Sequence, residues 1–356
     1  MPSLRRIVPL GALLLSACGD LGYYVHLAHG EYALLAAREP IAEVVADPHV
    51  DAQLKARLEQ AERARAFASD HLDLPRNGSY TEYADLHRPY AMWNVYAAPE
   101  FSLAPLTHCF PIAGCVAYRG YYELARAQAE ARRLQAAGYE TDLSGVPAYS
   151  TLGWFDDPIL NTMLRWDDDT LAATLFHELA HQKLYLPGDT AFNESFATFV
   201  QEQGLREWRA ARGLPPGDDA AQRREDQFTA LVLDARSRLA ALYAQRLPPE
   251  EMRQRKAAEI ETLRANYRAL RDRQWAGVPA AAIAGYDAWM NAPINNAKLL
   301  PFGLYHQWVP AFAALFGDCH GDWPRFFAAV KKLSRLDPKA RDARLAAFAP
   351  AAPPGS

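Results

Sequence analysis

Four residues in the stretch TLFHELAHQKLYLPGDTAFNESFATFV could act together: His177, Glu178, His181 and Glu194. Residues four apart share one face of a helix, so the imidazoles of His177 and His181 can converge on a single divalent ion. The H-E-x-x-H order puts Glu178 beside that ion, where its carboxylate can take a proton from water. A catalytic zinc takes three protein ligands and keeps its fourth position open, and Glu194 is the candidate for the third. Leu175, Phe176, Leu179, Ala180 and Leu184 surround these residues, so the polar face would lie inside a core. Burying two imidazoles and two carboxylates there without a partner costs several kcal/mol. That cost weighs against satisfied core histidines. A structural zinc site would usually fill all four positions with Cys and His.

Two helices must position this set. Asp168, Asp169 and Thr170 are expected to cap the helix through the His-Glu pair, and Pro187-Gly188-Asp189-Thr190 to end it and start the next, letting the second helix fold back. From Asp168 onward the pattern is helical almost to the end. Residues 217–275 carry dense mixed charge and suit a long helical hairpin turning at Pro248-Pro249, with a solvated face or a face for a partner. A last set of helices covers roughly residues 295–347. Upstream, residues 50–72 read as a solvated amphipathic helix. The segments PYAMWNVYAAP, HCFPIAGCVAYRGYY and GVPAYSTLGWF are aromatic and β-branched, punctuated by Gly and Pro, and read as strands of one small sheet. Between them, YELARAQAEARRLQAAG reads as a helix ending at Gly138. The fold class is therefore α+β and mostly helical. A segment over 18–79 precedes a small aromatic-rich β-sheet over 80–165, then a helical zinc-site region over 166–347 and a low-complexity tail over 348–356, expected to be disordered.

The chain has 356 residues, half of them hydrophobic, and can bury a substantial core. A net charge of −4 and the lack of a glycine-rich phosphate loop argue against nucleic acid and nucleotides as partners. At the N-terminus, Arg5 and Arg6 precede an apolar run from Ile7 to Leu15 that is too short to span a bilayer and reads as a secretory signal over 1–17. Leu15-Ser16-Ala17-Cys18 resembles the bacterial lipobox, which implies lipidation of Cys18 and a membrane tether at the periplasmic face of the cell envelope. Gly19 in place of the Asp that retains lipoproteins at the inner membrane favours the outer membrane. Several acyl chains anchor stably, at about 0.8 kcal/mol per buried methylene. Export makes Cys109, Cys115 and Cys319 disulfide candidates. Cys109 and Cys115 flank FPIAG on a strand-turn-strand and could bridge, leaving Cys319 unpaired and buried.

His177-Glu178-x-x-His181 followed by Asn193-Glu194-x-Phe196-Ala197 resembles the gluzincin arrangement, in which a Glu on the next helix completes the zinc site. More closely, GYYVHLAHGEYALLAAREPI, FPIAGCVAYRGYY, AYSTLGWFDDPILNTML, LFHELAHQKLYLPGDTAFNESFATFVQEQG and NNAKLLPFGLYHQWVPAF resemble a predicted bacterial aminopeptidase family of lipoproteins, over almost the whole mature chain. The resemblance implies a gluzincin-like helical domain with Zn(2+) held by His177, His181 and Glu194. It also implies Glu178 as general base in metal-assisted peptide hydrolysis. The oxyanion then needs a second donor. Gluzincins often supply a Tyr or His from a later helix, which points to Tyr305 and His306, with Tyr305 preferred. Tyr118, Arg119 and Tyr121 compete for the same work. Asn193 or Glu202 could orient a histidine through its other ring nitrogen.

Gluzincins commonly bind a peptide as an added strand on the sheet edge before the zinc helix. YSTLGWFDD occupies that place here, with Gly153 allowing close backbone approach. Recognising a free α-ammonium calls for a carboxylate near the metal, for which Asp156 or Asp157 is expected, unless they only cap PILNTML. The leading expectation is a periplasmic, lipid-tethered zinc aminopeptidase. A zinc endopeptidase of the envelope and an inactive zinc-containing scaffold that binds an envelope partner through its hairpin are the alternatives.

Overall fold

The computed structural model describes residues 11–110, 114–148, 150–215 and 219–348, with the side chains of residues 11–20 and of Asp219 outside that description. The expected signal segment, the lipid attachment at Cys18 and the tail after Phe348 lie wholly or partly outside the described residues. The chain is mostly helical with small sheets, in keeping with the α+β class expected. Among the described residues no helix is long and apolar enough to cross a membrane.

In chain order, α1 (Gly11–Ala36) leads through β1 (Arg38–Pro40) and α2 (Ile41–Ala46) to α3 (Ala52–His71). Then come β2 (Glu82–Ala84), β3 (Met92–Pro99), β4 (His108–Phe110), β5 (Gly114–Val116), β6 (Tyr118–Tyr121), α4 (Leu124–Ala136), β7 (Tyr139–Val146) and β8 (Ile159–Leu160). Beyond a 3-10 turn at Met163–Arg165 the elements are helices: α5 (Asp168–Lys183), α6 (Thr190–Ala211), α7 (Asp219–Tyr243), α8 (Pro249–Gln274) and α9 (Ala280–Asn291). α10 (Asn296–Tyr305), α11 (Val309–Asp318), α12 (Trp323–Leu333) and α13 (Pro338–Phe348) complete the chain.

Where one small sheet was expected there are three, ordered β1-β2-β8, β6-β3-β7 and β4-β5. β3 and β7 pair over eight residues, whereas β4 and β5, separated from β3 by Pro99 at its end and by Pro105, pair only with each other over three. β3 is the central strand of its sheet and is covered on both faces. Alternation sends Val95 and Ala97 into a cluster with Ala127, Ala131 and Leu134 of α4, and Tyr96 and Ala98 into one with Ala297 and Leu300 of α10. Cys109 and Cys115 lie opposite each other on β4 and β5 and form the disulfide. Among the described residues Cys319 is the free thiol, half-buried where a buried one was expected.

The segment expected to be a substrate edge strand is not one. Its described residues from Ser150 to Pro158 form no strand. Leu152 and Gly153 both have positive φ, 57° and 81°, which reverses the chain. The Asp157 carboxylate then accepts from Thr151 N at 2.9 Å and closes a loop. Both edge strands of the β6-β3-β7 sheet reach a cavity that this loop also lines, β6 through Tyr118 and Gly120 and β7 through Val146.

The main core lies between α3, α5, α6, α11 and α12, and Phe176, Phe192, Phe196, Phe199, Phe312 and Phe326 are all fully buried in it. Each such ring contributes about 1.5–3 kcal/mol by leaving water. α7 and α8 form the expected hairpin, with Pro249 opening α8 where its missing N–H costs no helical bond. The hairpin and α9 share a second cluster around Phe228, Val232, Leu263 and Tyr267. Not all of its charge is solvated. Lys256 is buried, pairs with Glu140 of β7 and donates to Glu100 O at 2.8 Å, which ties the hairpin to the sheet.

Phe196 joins the middle of α6 to Phe312, Phe326 and Phe327. Phe196→Ala is expected to destabilise the fold by about 3–5 kcal/mol in denaturant unfolding. A loss below about 1 kcal/mol would mean that this aromatic cluster does not hold α6 in place.

Candidate metal centre

α5 is capped one residue before the expected position, by Asp167, whose carboxylate accepts from Thr170 N at 2.7 Å. Asp168 and Asp169 sit in the first turn, suit the positive end of the helix dipole, and pair with Arg57 of α3 and Arg209 of α6. After α5 the chain turns at Gly188, whose φ of 85° favours glycine. Asp189 starts α6 by accepting from Phe192 N at 3.0 Å. Asn193 closes the turn, accepting from Leu186 N and donating to Leu186 O, both at 2.8 Å. This closure lays the start of α6 against the face of α5 that carries His177 and His181.

The result is a buried triangle. His177 Nε2 and His181 Nε2 are 3.1 Å apart, and Glu194 Oε2 lies 3.4 Å from the first and 3.5 Å from the second. Ligand atoms about 2.0–2.1 Å from a tetrahedrally coordinated ion stand about 3.3 Å from one another. The donor set and its spacing fit, and the group could hold a metal ion. With Nε2 of His177 turned to the other two donors, Nδ1 carries the proton and donates to Gln201 Oε1 at 3.0 Å. Gln201 lies two helical turns beyond Glu194 on the same face of α6.

The charges reinforce this convergence. Burial alone would raise the Glu194 pKa, but the His181 charge and hydrogen bonds from both histidines hold it down at about 2. Burial pulls His181 down, and the Glu194 carboxylate outweighs it and raises it. Positive charge is thus favoured among the three donors. Glu178 is pushed up, first by burial and further by Glu194, against the lowering effect of His177 and His181. A carboxyl raised in this way is a stronger base toward water.

The triangle and Glu178 open onto a cavity of about 510 Å³. Tyr118, Tyr185 and Tyr305 also line it. Burial, and then the Glu194 charge, raise all three phenols, Tyr185 to about 12, so their hydroxyls stay protonated and able to donate. The Tyr305 ring lies 6.2 Å from that of His177. Trp154 and Phe155 stand at the mouth, 65% and 50% exposed.

Other expected site residues fall elsewhere. His306 is half-buried, lowered in pKa by burial, and stacks 6.5 Å from Phe302 outside the cavity lining. The Arg119 guanidinium sits 3.8 Å over the Tyr23 ring and 3.9 Å from Glu130, and Tyr121 is packed in the sheet core. Gly153 is in the reversing turn, next to Gln182. Asp156 is exposed and its carbonyl accepts from Arg38 at 2.9 Å. Asp157 is buried behind the loop it organises, and neither acid lines the cavity. Asn193 shapes the turn and leaves the histidines alone, while Glu202 faces Arg206, Glu225 and Asp226. The side chain that does meet a histidine, Gln201, could have been found by counting two full turns from Glu194, which ends at 201 and not 202. Glu31, which also lines the cavity, comes from α1 and carries no sequence signal linking it to α5.

A family model described as "Putative aminopeptidase" matches residues 22–345, and the chain belongs to this family. No curated protein and no solved structure matches it.

Gln201→Leu should leave the fold intact and weaken metal binding by about 10–100-fold, read by competition with a chromophoric chelator. Unchanged affinity would show that the hydrogen bond to His177 does not orient a ligand. Burial raises Asp157 to about 7, above its unfolded value near 3.8. The folded state therefore holds the extra proton between those two values, and stability falls as pH rises from about 4 to 7. Wild type should lose thermal stability relative to Asp157→Asn across that window, and parallel curves would refute the assignment.

Proposed function

We propose that this member of the aminopeptidase family is a zinc-dependent aminopeptidase that removes residues from the free N-terminus of peptides. One observation carries the reading: two imidazole nitrogens and a carboxylate oxygen meet at 3.1–3.5 Å beside a further acid, at the bottom of a cavity. Two histidines and a glutamate form a donor set suited to catalytic zinc, with a position left for water or substrate. When bound, the ion supplies Lewis acidity, polarising the scissile carbonyl and acidifying water beside it.

The chain's own groups do the rest. His177, His181 and Glu194 hold the ion, and Gln201 fixes the His177 ring. Glu178 takes the proton from water and passes it to the leaving amine. Tyr305 or Tyr118 donates its hydroxyl proton to the oxyanion as charge develops there, a role favoured by pKa values held high through burial. The peptide backbone lies along β6, whose Tyr118 and Gly120 line the cavity and which is an edge strand. The lipobox-like Leu15-Ser16-Ala17-Cys18 supports a lipid anchor at Cys18, with the enzyme held at the periplasmic face of a bacterial envelope membrane, the outer one favoured by Gly19.

Glu178→Gln should keep stoichiometric zinc while peptide hydrolysis falls about 10²–10⁴-fold, and N-terminal acetylation should protect a peptide from the wild-type protein. A variant that turns over at the wild-type rate would remove Glu178 from the reaction, and ready cleavage of acetylated peptides would replace the exopeptidase with an endopeptidase.

A further inference from the structure

Glu31 is a carboxylate in the cavity that neither the metal cluster nor the proton transfer uses. Tyr23, Leu27 and Glu31 lie one helical turn apart on α1 and all line the cavity that contains His177, Glu178 and His181. Glu31 Oε2 accepts from the Tyr122 hydroxyl at 2.7 Å. Its Oε1 is buried and has no hydrogen-bond partner among the described residues. Tyr122 is itself held: its N–H donates to His26 Nε2 at 3.1 Å, and the Arg88 guanidinium lies 5.6 Å from its ring centroid. Its ring packs against Gly30, where a Cβ would come within 2.0 Å of a ring carbon. The neighbour of Glu31 must therefore be glycine for this support to form.

One oxygen of Glu31 is thus pinned and the other meets no donor, which leaves hydrogen-bonding capacity of a half-buried carboxylate unused. No lysine or arginine is among the cavity-lining residues described, so nothing there neutralises it. Glu31 lines the same cavity as Glu178, His177 and His181. A cationic hydrogen-bond donor is the missing complement, and a peptide's α-ammonium has that chemistry.

We infer that the Glu31 carboxylate binds the α-ammonium of the substrate and selects peptides with a free N-terminus. This rests on the proposed aminopeptidase reading and names the group that makes the enzyme an exopeptidase. Asp156 and Asp157, expected in that role from sequence, lie outside the cavity lining. Tyr24, Leu27 and Phe110 line the cavity with Glu31, so a leucine side chain is a suitable probe.

The test uses full-length, zinc-loaded protein and calorimetric binding of two hydroxamates: leucine hydroxamate, and 4-methylpentanohydroxamate, which lacks only the amine. Wild type should bind the amine-bearing compound about 10–100-fold more tightly, the range of a charge-assisted hydrogen bond. Glu31→Gln, which keeps an acceptor for Tyr122, should lose that preference, with zinc content and affinity for the amine-free compound unchanged. Should that variant fold poorly, Glu31→Ala is compared with Tyr122→Phe. Both lose the same hydrogen bond, and only Glu31→Ala should lose the amine preference. A preference that survives removal of Glu31, or equal binding of both compounds by wild type, overturns the inference alone. Binding of neither compound by wild type overturns the metal reading and this inference with it.

Discussion

Two nitrogen lone pairs and a carboxylate oxygen forced to within 3.1–3.5 Å of one another in a buried place are the constraint on which this structure depends. In water such groups would drift apart or be screened, and away from water their mutual repulsion is strong unless positive charge lies among them. The surrounding protein supplies rigidity against that repulsion. α5 and α6 lie side by side, Asn193 closes the turn between them, and the phenylalanine cluster around Phe196 anchors α6 from behind. Ligand geometry and core packing are therefore two aspects of one arrangement, because a shift of α6 would move Glu194 and Gln201 together.

The cavity in front of the triangle is electrostatically one-sided. Glu31, Glu178 and Glu194 line it, with Asp157 close behind, and no lysine or arginine is among its described lining. Buried carboxylates destabilise a fold when left alone. Here they are sustained by a large aromatic core and by polar partners that hold single oxygens in place, such as Tyr122 for Glu31 and Thr151 for Asp157. The other oxygen of each, Glu31 Oε1 and Asp157 Oδ1, has no hydrogen-bond partner among the described residues. The tyrosines around the triangle complete the environment by remaining neutral donors.

Much of the centre was legible because it is local. His177, Glu178 and His181 follow helical periodicity, Pro187-Gly188 signals the turn, and Glu194 opens the next helix, so proximity follows from short-range geometry alone. Gln201 was also within reach of the same periodicity. The hairpin at Pro248-Pro249 was plain from charge pattern and proline. The loop at 150–158 was misread as a strand because aromatic composition hides two consecutive positive-φ residues and a side chain that bonds back across the turn. His306 and Arg119 were plausible by type, yet each neighbours the residue that does reach the cavity, Tyr305 or Tyr118. Adjacent residues on a helix or strand point in different directions.

By itself, then, the sequence determined the helical class, the two-helix donor set and the acid beside it, since each depends on spacing within a few turns of one stretch of chain. Only the tertiary structure decided which tyrosines line the cavity with the donors, that β6 is an edge strand beside them, and that α1 brings Glu31 to the same cavity. Those residues come from elements far apart along the chain. They meet through the packing of α1, the sheet and α10 around a shared interior, which no local pattern encodes.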